Sequence, residues 1–273
     1  MAIRIPDTLT INTSERYILS IRMNPDGFSF SVSIPSKSNS FFYQEIEFDH
    51  SKTYIESLKE AFFSEEFLSW NYKKIYIFCF TPTYVCIPEN LFDTDKRGKI
   101  IEYAFLSTPS KSLVNVLIPD KEKLIFEIVP EIYEFLCRSF IHPEFLHHMT
   151  LPLRYWEKQN LLALNKQMHV LIHKRTIDIA CYKQEKRLFL NSFQYQHVDD
   201  ILYYIAYSWK QSGLDQFKDR LFLFGEMKDK QTLMSRLRHY IHFVSDMELP
   251  ADAYLRNAEL KQASFEIILS VCE

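Results

Sequence analysis

The chain has 273 residues, 47% hydrophobic and 25% charged, with a net charge of −3, which is enough apolar material for one large globular domain or two smaller ones. Its four glycines (Gly27, Gly98, Gly213 and Gly225) exclude a Walker loop or a dinucleotide fingerprint, since both need clustered glycine to bring backbone close to phosphate. Residues 1–150 carry 15 Lys/Arg against 20 Asp/Glu and residues 151–273 carry 17 against 15, so neither half has the basic balance of a dedicated nucleic-acid binder.

In chain order, Tyr17–Met23 reads as a strand, and Asn24-Pro25-Asp26-Gly27 as a hairpin turn with Asp-Gly as its strongest part. Phe28–Ile34 alternates Phe with Ser, the pattern of a half-buried strand, and Phe41–Phe48 follows as a third strand. A helix is expected from about Ser51 to Leu68, with Thr53 and Glu56 as a capping box and Ile55, Leu58 and Phe62 on one face. Lys74–Phe80 is a buried, aromatic-rich strand. Leu113–Ile118 and Leu124–Ile128 are further strands, and a helix starts at Pro130. The segment 142–165 reads as a connector.

The order then repeats. Met168–His173, Thr176–Lys183 and Arg187–Tyr195 are strands, joined to Arg220–Phe224 by a helix over Val198–Ser212 with the stripe Val198, Ile201, Leu202, Ile205 and Trp209. A further helix runs over about Asp229–Ile241. Strand–strand–strand–helix–strand thus occurs twice, offset by half the chain. A meander, a helix and a strand parallel to the first make the core of a ribonuclease-H-like fold. Two in tandem give an α/β chain of actin-like architecture: mixed five-stranded sheets flanked by helices, with halves at 1–150 and 151–273.

The stretches Leu190-Asn191-Ser192-Phe193-Gln194-Tyr195 and Asp199-Asp200-Ile201-Leu202-Tyr203-Tyr204 resemble the signature of an uncharacterised bacterial domain-of-unknown-function family. Ile21–Phe30 and Leu223-Phe224-Gly225-Glu226 fit the same pattern. The resemblance spans essentially the whole chain. It implies a duplicated actin-like ATPase fold, distantly similar to pilus-assembly and secretion actin-like proteins, and it implies no activity.

Actin-like ATPases bind phosphates on two hairpin turns, each typically carrying an Asp and glycines. The first turn here keeps Asp26 and Gly27, ordinary hairpin residues. The second, His173-Lys174-Arg175-Thr176, has neither a glycine nor an acid to organise Mg²⁺. The adenosine-side glycines reduce to Gly225-Glu226. If a nucleotide cleft persists, Asp26, Gly27, Lys174, Arg175, Gly225 and Glu226 are its residues. The expectation is a non-catalytic actin-like interaction or regulatory module with degraded nucleotide motifs, the alternative being a divergent ATP-binding enzyme of that superfamily. No cofactor and no catalytic residue is assigned.

A ribonuclease-H-type nuclease needs clustered carboxylates, and neither central strand has one; Asp178, Asp199, Asp200 and Glu226 are the nearest, with Asp199 and Asp200 placed as helix caps. His142, His147 and His148 beside Glu144 read as surface histidines of the connector, not as a metal site. Five widely spaced cysteines read as reduced thiols of a cytoplasmic protein. No segment reaches the roughly 20 apolar residues of a membrane insertion, and no leader is apparent at the N-terminus. The surplus of aromatics, with Tyr203, Tyr204 and Tyr207 on one helix, divides between core and a protein-partner surface.

Overall fold

The computed structural model describes residues 3–35, 37, 40–105, 111–118, 121–225, 227, 229–256, 260 and 262–272. They divide into two compact units: Met1–Leu151 with Pro250–Glu273, and Pro152–Leu249.

In the first unit, β1 (Ile18–Asn24) and β2 (Gly27–Ser33) form a hairpin across the Pro25–Asp26 turn, and β3 (Phe42–Glu47) pairs antiparallel to β2. α1 (Tyr54–Ser64) begins at the expected box: the Thr53 backbone N–H donates to Glu56 at 2.9 Å, and the Glu56 N–H to the Thr53 hydroxyl at 3.4 Å. β4 (Lys74–Cys79) returns parallel to β1.

Between β4 and the last strand of this sheet lies an insertion. β5 (Tyr84–Pro88), β6 (Lys111–Ile118) and β7 (Glu122–Ile128) make a separate antiparallel sheet in the order β5-β7-β6. α2 (Arg97–Phe105) packs on it, around Ile87, Ile101 and Ile125. α3 (Pro130–Ser139) then leads to β8 (Glu144–His147), which pairs parallel to β4 and completes a five-stranded sheet, β3-β2-β1-β4-β8.

α4 (Thr150–Asn160) carries the chain into the second unit. There β9 (Gln167–Ile172), β10 (Thr176–Lys183) and β11 (Lys186–Gln194) form the meander. α5 (Val198–Gln211) buries Ile201, Ile205 and Trp209 on it, and β12 (Arg220–Phe224) runs parallel to β9. α6 (Lys230–Leu237) leads to β13 (Phe243–Asp246), and the sheet order β11-β10-β9-β12-β13 repeats that of the first unit strand for strand. The fold is the duplicated α/β arrangement of the sequence reading, with two mixed five-stranded sheets.

One expectation is corrected. The connector at 142–165 contains β8 and α4, and of its three histidines His142 is exposed as expected while His147 and His148 are buried. The C-terminal segment, with α7 (Ala251–Arg256) and α8 (Phe265–Cys272), groups with the first unit. The cause lies in the Phe–Ser strand. Its phenylalanines share a face with Ile21 and Met23, and Phe28 meets Phe62 of α1 at 6.4 Å between ring centroids. Ser29 and Ser31 pair with Arg22 and Ser20 on the other face, and they are buried too. α8 lies over that face: Ser20 and Ser270 hydroxyls are 3.2 Å apart, and Arg22 Nε donates to the buried Glu266 carboxylate. Residues 265–271 of α8 are all buried, so this helix is covered all round.

In the second unit, His169 of β9 stacks between Trp156 and Phe222, at 4.9 and 5.3 Å between centroids. Asn160 Nδ2 donates to its Nε2 at 3.0 Å and to the Trp156 carbonyl at 2.8 Å. The imidazole therefore accepts a bond and stays neutral, and burial lowers its pKa to about 3.

Two predictions follow from this packing. Replacing Glu266 with Ala strands the Arg22 guanidinium in the interior and lowers the stability of the first unit by about 3–5 kcal/mol in denaturant unfolding, whereas the double change Arg22→Met/Glu266→Leu costs much less; a loss below about 1 kcal/mol for the single variant contradicts this. For His169 the unfolded chain binds a proton below about pH 6.5 that the fold refuses. Stability is thus fully present above that pH and falls towards pH 3 by about 1.4 kcal/mol per unit. His169→Phe flattens this dependence in unfolding measured from pH 7 to pH 4.

Candidate functional site

The two β-hairpins at the carboxyl ends of β1 and β9 are where the sequence places its candidates, and each is built differently. At the first, Phe48 N–H donates to the Asp26 carbonyl at 2.9 Å, and the Tyr54 hydroxyl to the Gly27 carbonyl at 2.7 Å. Gly27 has φ +151°, and a Cβ there would stand 2.0 Å from the Ile46 carbonyl oxygen of β3. Strand packing is by itself enough to require that glycine. Behind the turn, Arg22 donates Nε to Glu266 and Nη1 to Asn24 Oδ1, and its guanidinium lies 4.5 Å from the Phe80 ring centroid. The positive charge nearest this turn is therefore engaged within the unit, stacked on an aromatic face and paired with a carboxylate.

The second hairpin carries its charge outward. Lys174 and Arg175 are exposed at the tip. The tip is braced by His173 N–H to the Thr176 carbonyl at 2.9 Å, by Tyr195 N–H to the Arg175 carbonyl at 3.0 Å, and by the Tyr195 hydroxyl to the His173 carbonyl at 2.6 Å. Asp178, two residues into β10, is buried. One carboxylate oxygen meets His173 Nε2 at 2.7 Å and the other accepts from the Ser192 hydroxyl of β11. Both oxygens face inward, so this acid holds the hairpin together. Ser192 and His173 thus bond the two oxygens of one carboxylate.

Gly225 follows β12 and lies against the end of β9. Its φ is +119°, and a Cβ would stand 2.1 Å from the Ile172 carbonyl oxygen. The structure thus brings Gly225 beside the Lys174–Arg175 turn, at the carboxyl ends of parallel strands, where open α/β sheets place ligands. Asp26 and Gly27 belong to the first unit and Lys174, Arg175 and Gly225 to the second. Glu226 lies outside the described residues. Lys174 and Arg175 place two positive charges at the tip of the second hairpin.

Asp200 serves the start of α5, and Asp199 ties it to α6. Asp200 accepts the Gln196 and His197 N–H groups at 2.9 Å each, which holds its carboxyl below the usual range, and Asp199 pairs with Arg236 of α6 at 2.6 Å. The interior histidine of β8 has a structural task as well. His147 accepts Met149 N–H at Nδ1 (3.2 Å), so Nε2 carries the proton and donates to the Thr81 carbonyl at 2.9 Å. Asn115 of β6 ties this corner together, accepting from His147 N–H at 2.7 Å and from the Thr150 hydroxyl at 2.8 Å. Sequence reasoning missed Arg22, Glu266 and Asn115, because each has its partner 32 to 244 residues away. For Arg22 one signal was available: a charged residue in the middle of an otherwise uncharged strand.

The curated proteins contain no match to the chain. Among solved structures, a Bacteroides thetaiotaomicron protein with actin-like ATPase fold and unknown function is similar over 97% of this chain and 99% of its own, at 29% identity and a TM-score of 0.82. The PilM–PilN type IV pilus biogenesis complex is similar over 93% of this chain and 94% of the matched one, at 9% identity and a TM-score of 0.55. The cytoplasmic domain of EpsL, an inner-membrane component of the type II secretion system of Vibrio cholerae, is similar over 77% and 83%, at 6% identity and a TM-score of 0.43. Residues 6–244 match the model of a family described as protein of unknown function (DUF3822), and the chain belongs to that family.

Proposed function

We propose that the chain is a non-catalytic interaction or regulatory module on an actin-like ATPase fold, working in the cytoplasm with a protein partner. The observation that carries this reading is the second hairpin. Where phosphate and Mg²⁺ chemistry calls for glycine and an available acid, the turn presents Lys174 and Arg175, and Asp178 is enclosed by His173 and Ser192. Catalysis of phosphoryl transfer is almost entirely positioning and metal-held charge, so a hairpin without them supports binding instead of turnover. The glycines agree, since Gly27 and Gly225 are each explained by a neighbouring carbonyl.

A protein partner is supported by the presence of a similar fold in the PilM–PilN complex. It is supported also by exposed aromatics on α1 and α5: Phe63 is exposed while Phe62 is buried, and Tyr203 and Tyr207 stack outward while Tyr204 stacks on Phe193. The cytoplasmic setting is supported by five cysteines that form no disulfide among the described residues. Among the described residues no helix is long and apolar enough to cross a membrane. A second reading, a divergent ATP-binding enzyme, draws on the Lys174–Arg175 tip beside Gly225.

A thermal-shift titration with ATP, ADP and GTP, with and without Mg²⁺, separates the two. The module reading predicts no Mg²⁺-dependent rise in Tm at millimolar nucleotide. A saturable Mg²⁺-dependent rise overturns it, since a ligand at 100 times its Kd stabilises by about 2.7 kcal/mol, a shift of a few degrees for this size.

A further inference from the structure

The second unit ends in a platform of apolar loop tips at the N-terminal side of its parallel strands. Gln167 of β9 lies opposite Arg220 of β12, and Arg220 opposite Phe243 of β13, so the segments entering these strands emerge side by side, about 5 Å apart. Hydrogen bonds join them into one base. The Asp219 carboxylate accepts the Lys166 N–H at 2.9 Å and the Asp215 N–H at 2.6 Å. The Lys166 carbonyl accepts the Arg220 N–H at 3.1 Å, and Lys166 Nζ donates to the Gly213 carbonyl at 2.5 Å. His242 N–H reaches the Gln216 carbonyl at 2.9 Å, and Phe217 N–H caps onto Asp215 at 2.8 Å.

On this base stand Leu161, Leu162, Leu164, Phe217, Tyr240 and Phe243, all exposed. Leu162 and Leu164 are 93% and 99% exposed and Phe217 76%, so these tips stand clear of the fold. Exposed apolar side chains gathered on loop tips that emerge side by side at one end of a sheet are the kind of surface that marks an interaction site.

Charge selects the occupant. The same segments carry Lys166, Lys218, Arg220 and Arg238 against Asp215 and Asp219, a formal balance of +2. The platform is positive in a chain whose net charge is −3. Two copies meeting through this face would bring like charges together. A protein partner would have to supply a pocket for each protruding leucine. An anionic lipid surface supplies the opposite charge and takes convex apolar tips without any shape match, and peripheral attachment of this kind needs no spanning helix. We propose that this strand-end platform docks the protein onto anionic membrane surfaces, with Leu162, Leu164 and Phe217 entering the interface and Lys218 and Arg220 meeting the headgroups.

The test is co-sedimentation of the full chain with vesicles of phosphatidylcholine alone and of phosphatidylcholine mixed with phosphatidylglycerol, in low and high salt. The chain binds the mixed vesicles, binding weakens with salt, and the neutral vesicles retain little. Leu162→Ser/Leu164→Ser leaves Tm unchanged, because both side chains are exposed, and lowers the vesicle partition at least about tenfold. Phe63→Ser, an equally exposed aromatic of the first unit, binds as the parent does. Absence of binding to mixed vesicles, or equal binding by the leucine variant, overturns the proposal. So does a concentration-dependent dimer, seen by light scattering, that the leucine variant abolishes, which assigns the platform to a second copy of the chain.

Discussion

A single buried ion pair organises the first unit. Arg22 sits in the middle of its central strand and Glu266 on the last helix of the chain, and both are shut away from water. Neither charge is tolerable there alone, since an uncompensated ion in the interior is among the most destabilising defects a protein can carry. The pair therefore demands that α8 return to β1 across 244 residues of sequence. The other features of that face follow from the return. The serines of β2 are enclosed, Ser20 meets Ser270, and a helix buried all round has its polar side against β1. Such a contact is expensive in chain entropy, and strong burial of α8 offsets it.

The second unit reaches the same sheet order by other means. Its central strand has no arginine. His169 occupies an interior position between two aromatic rings and is kept neutral by Asn160. Its outer meander is fastened by Asp178 to His173 and Ser192. The two units thus share topology and differ in the polar groups that fix it. Of these groups, Arg22 and Asp178 lie on the strands that lead into and out of the two hairpins. In the first unit Arg22 is held in a structural pair; in the second Asp178 is buried against His173 and Ser192, with Lys174 and Arg175 exposed at the tip. The same duplicated frame carries a different surface chemistry.

Much of this frame was legible in the sequence because it depends on local signals. The Asp-Gly turn, the Thr53–Glu56 box, the stripe of α5 and the continuous apolar run of β4 each act within a few residues, and each element formed where its signal lay. The edge strands β8 and β13 were not legible, since four residues are too few to show alternation and each is defined by the partner it joins. The alternation of β2 suggested a solvent face for its serines, and only the distant α8 decides otherwise. The histidines at 147 and 148 read as surface residues for the same reason: their burial comes from strand pairing with β4 and from Asn115. At the candidate site the sequence located both hairpin tips and Gly225. It could not show that Asp178 faces inward, because a hydrogen bond to β11 fixes its direction.

Hydrogen exchange on a chain truncated after Leu249, compared residue by residue with the full chain, tests the organising role of the C-terminal return most directly. Loss of α8 should strip protection from the amides of β1, β2 and β4, while β9, β10 and β12 keep theirs. Unchanged protection in β1 and β2, or equal loss from both sheets, would contradict the account.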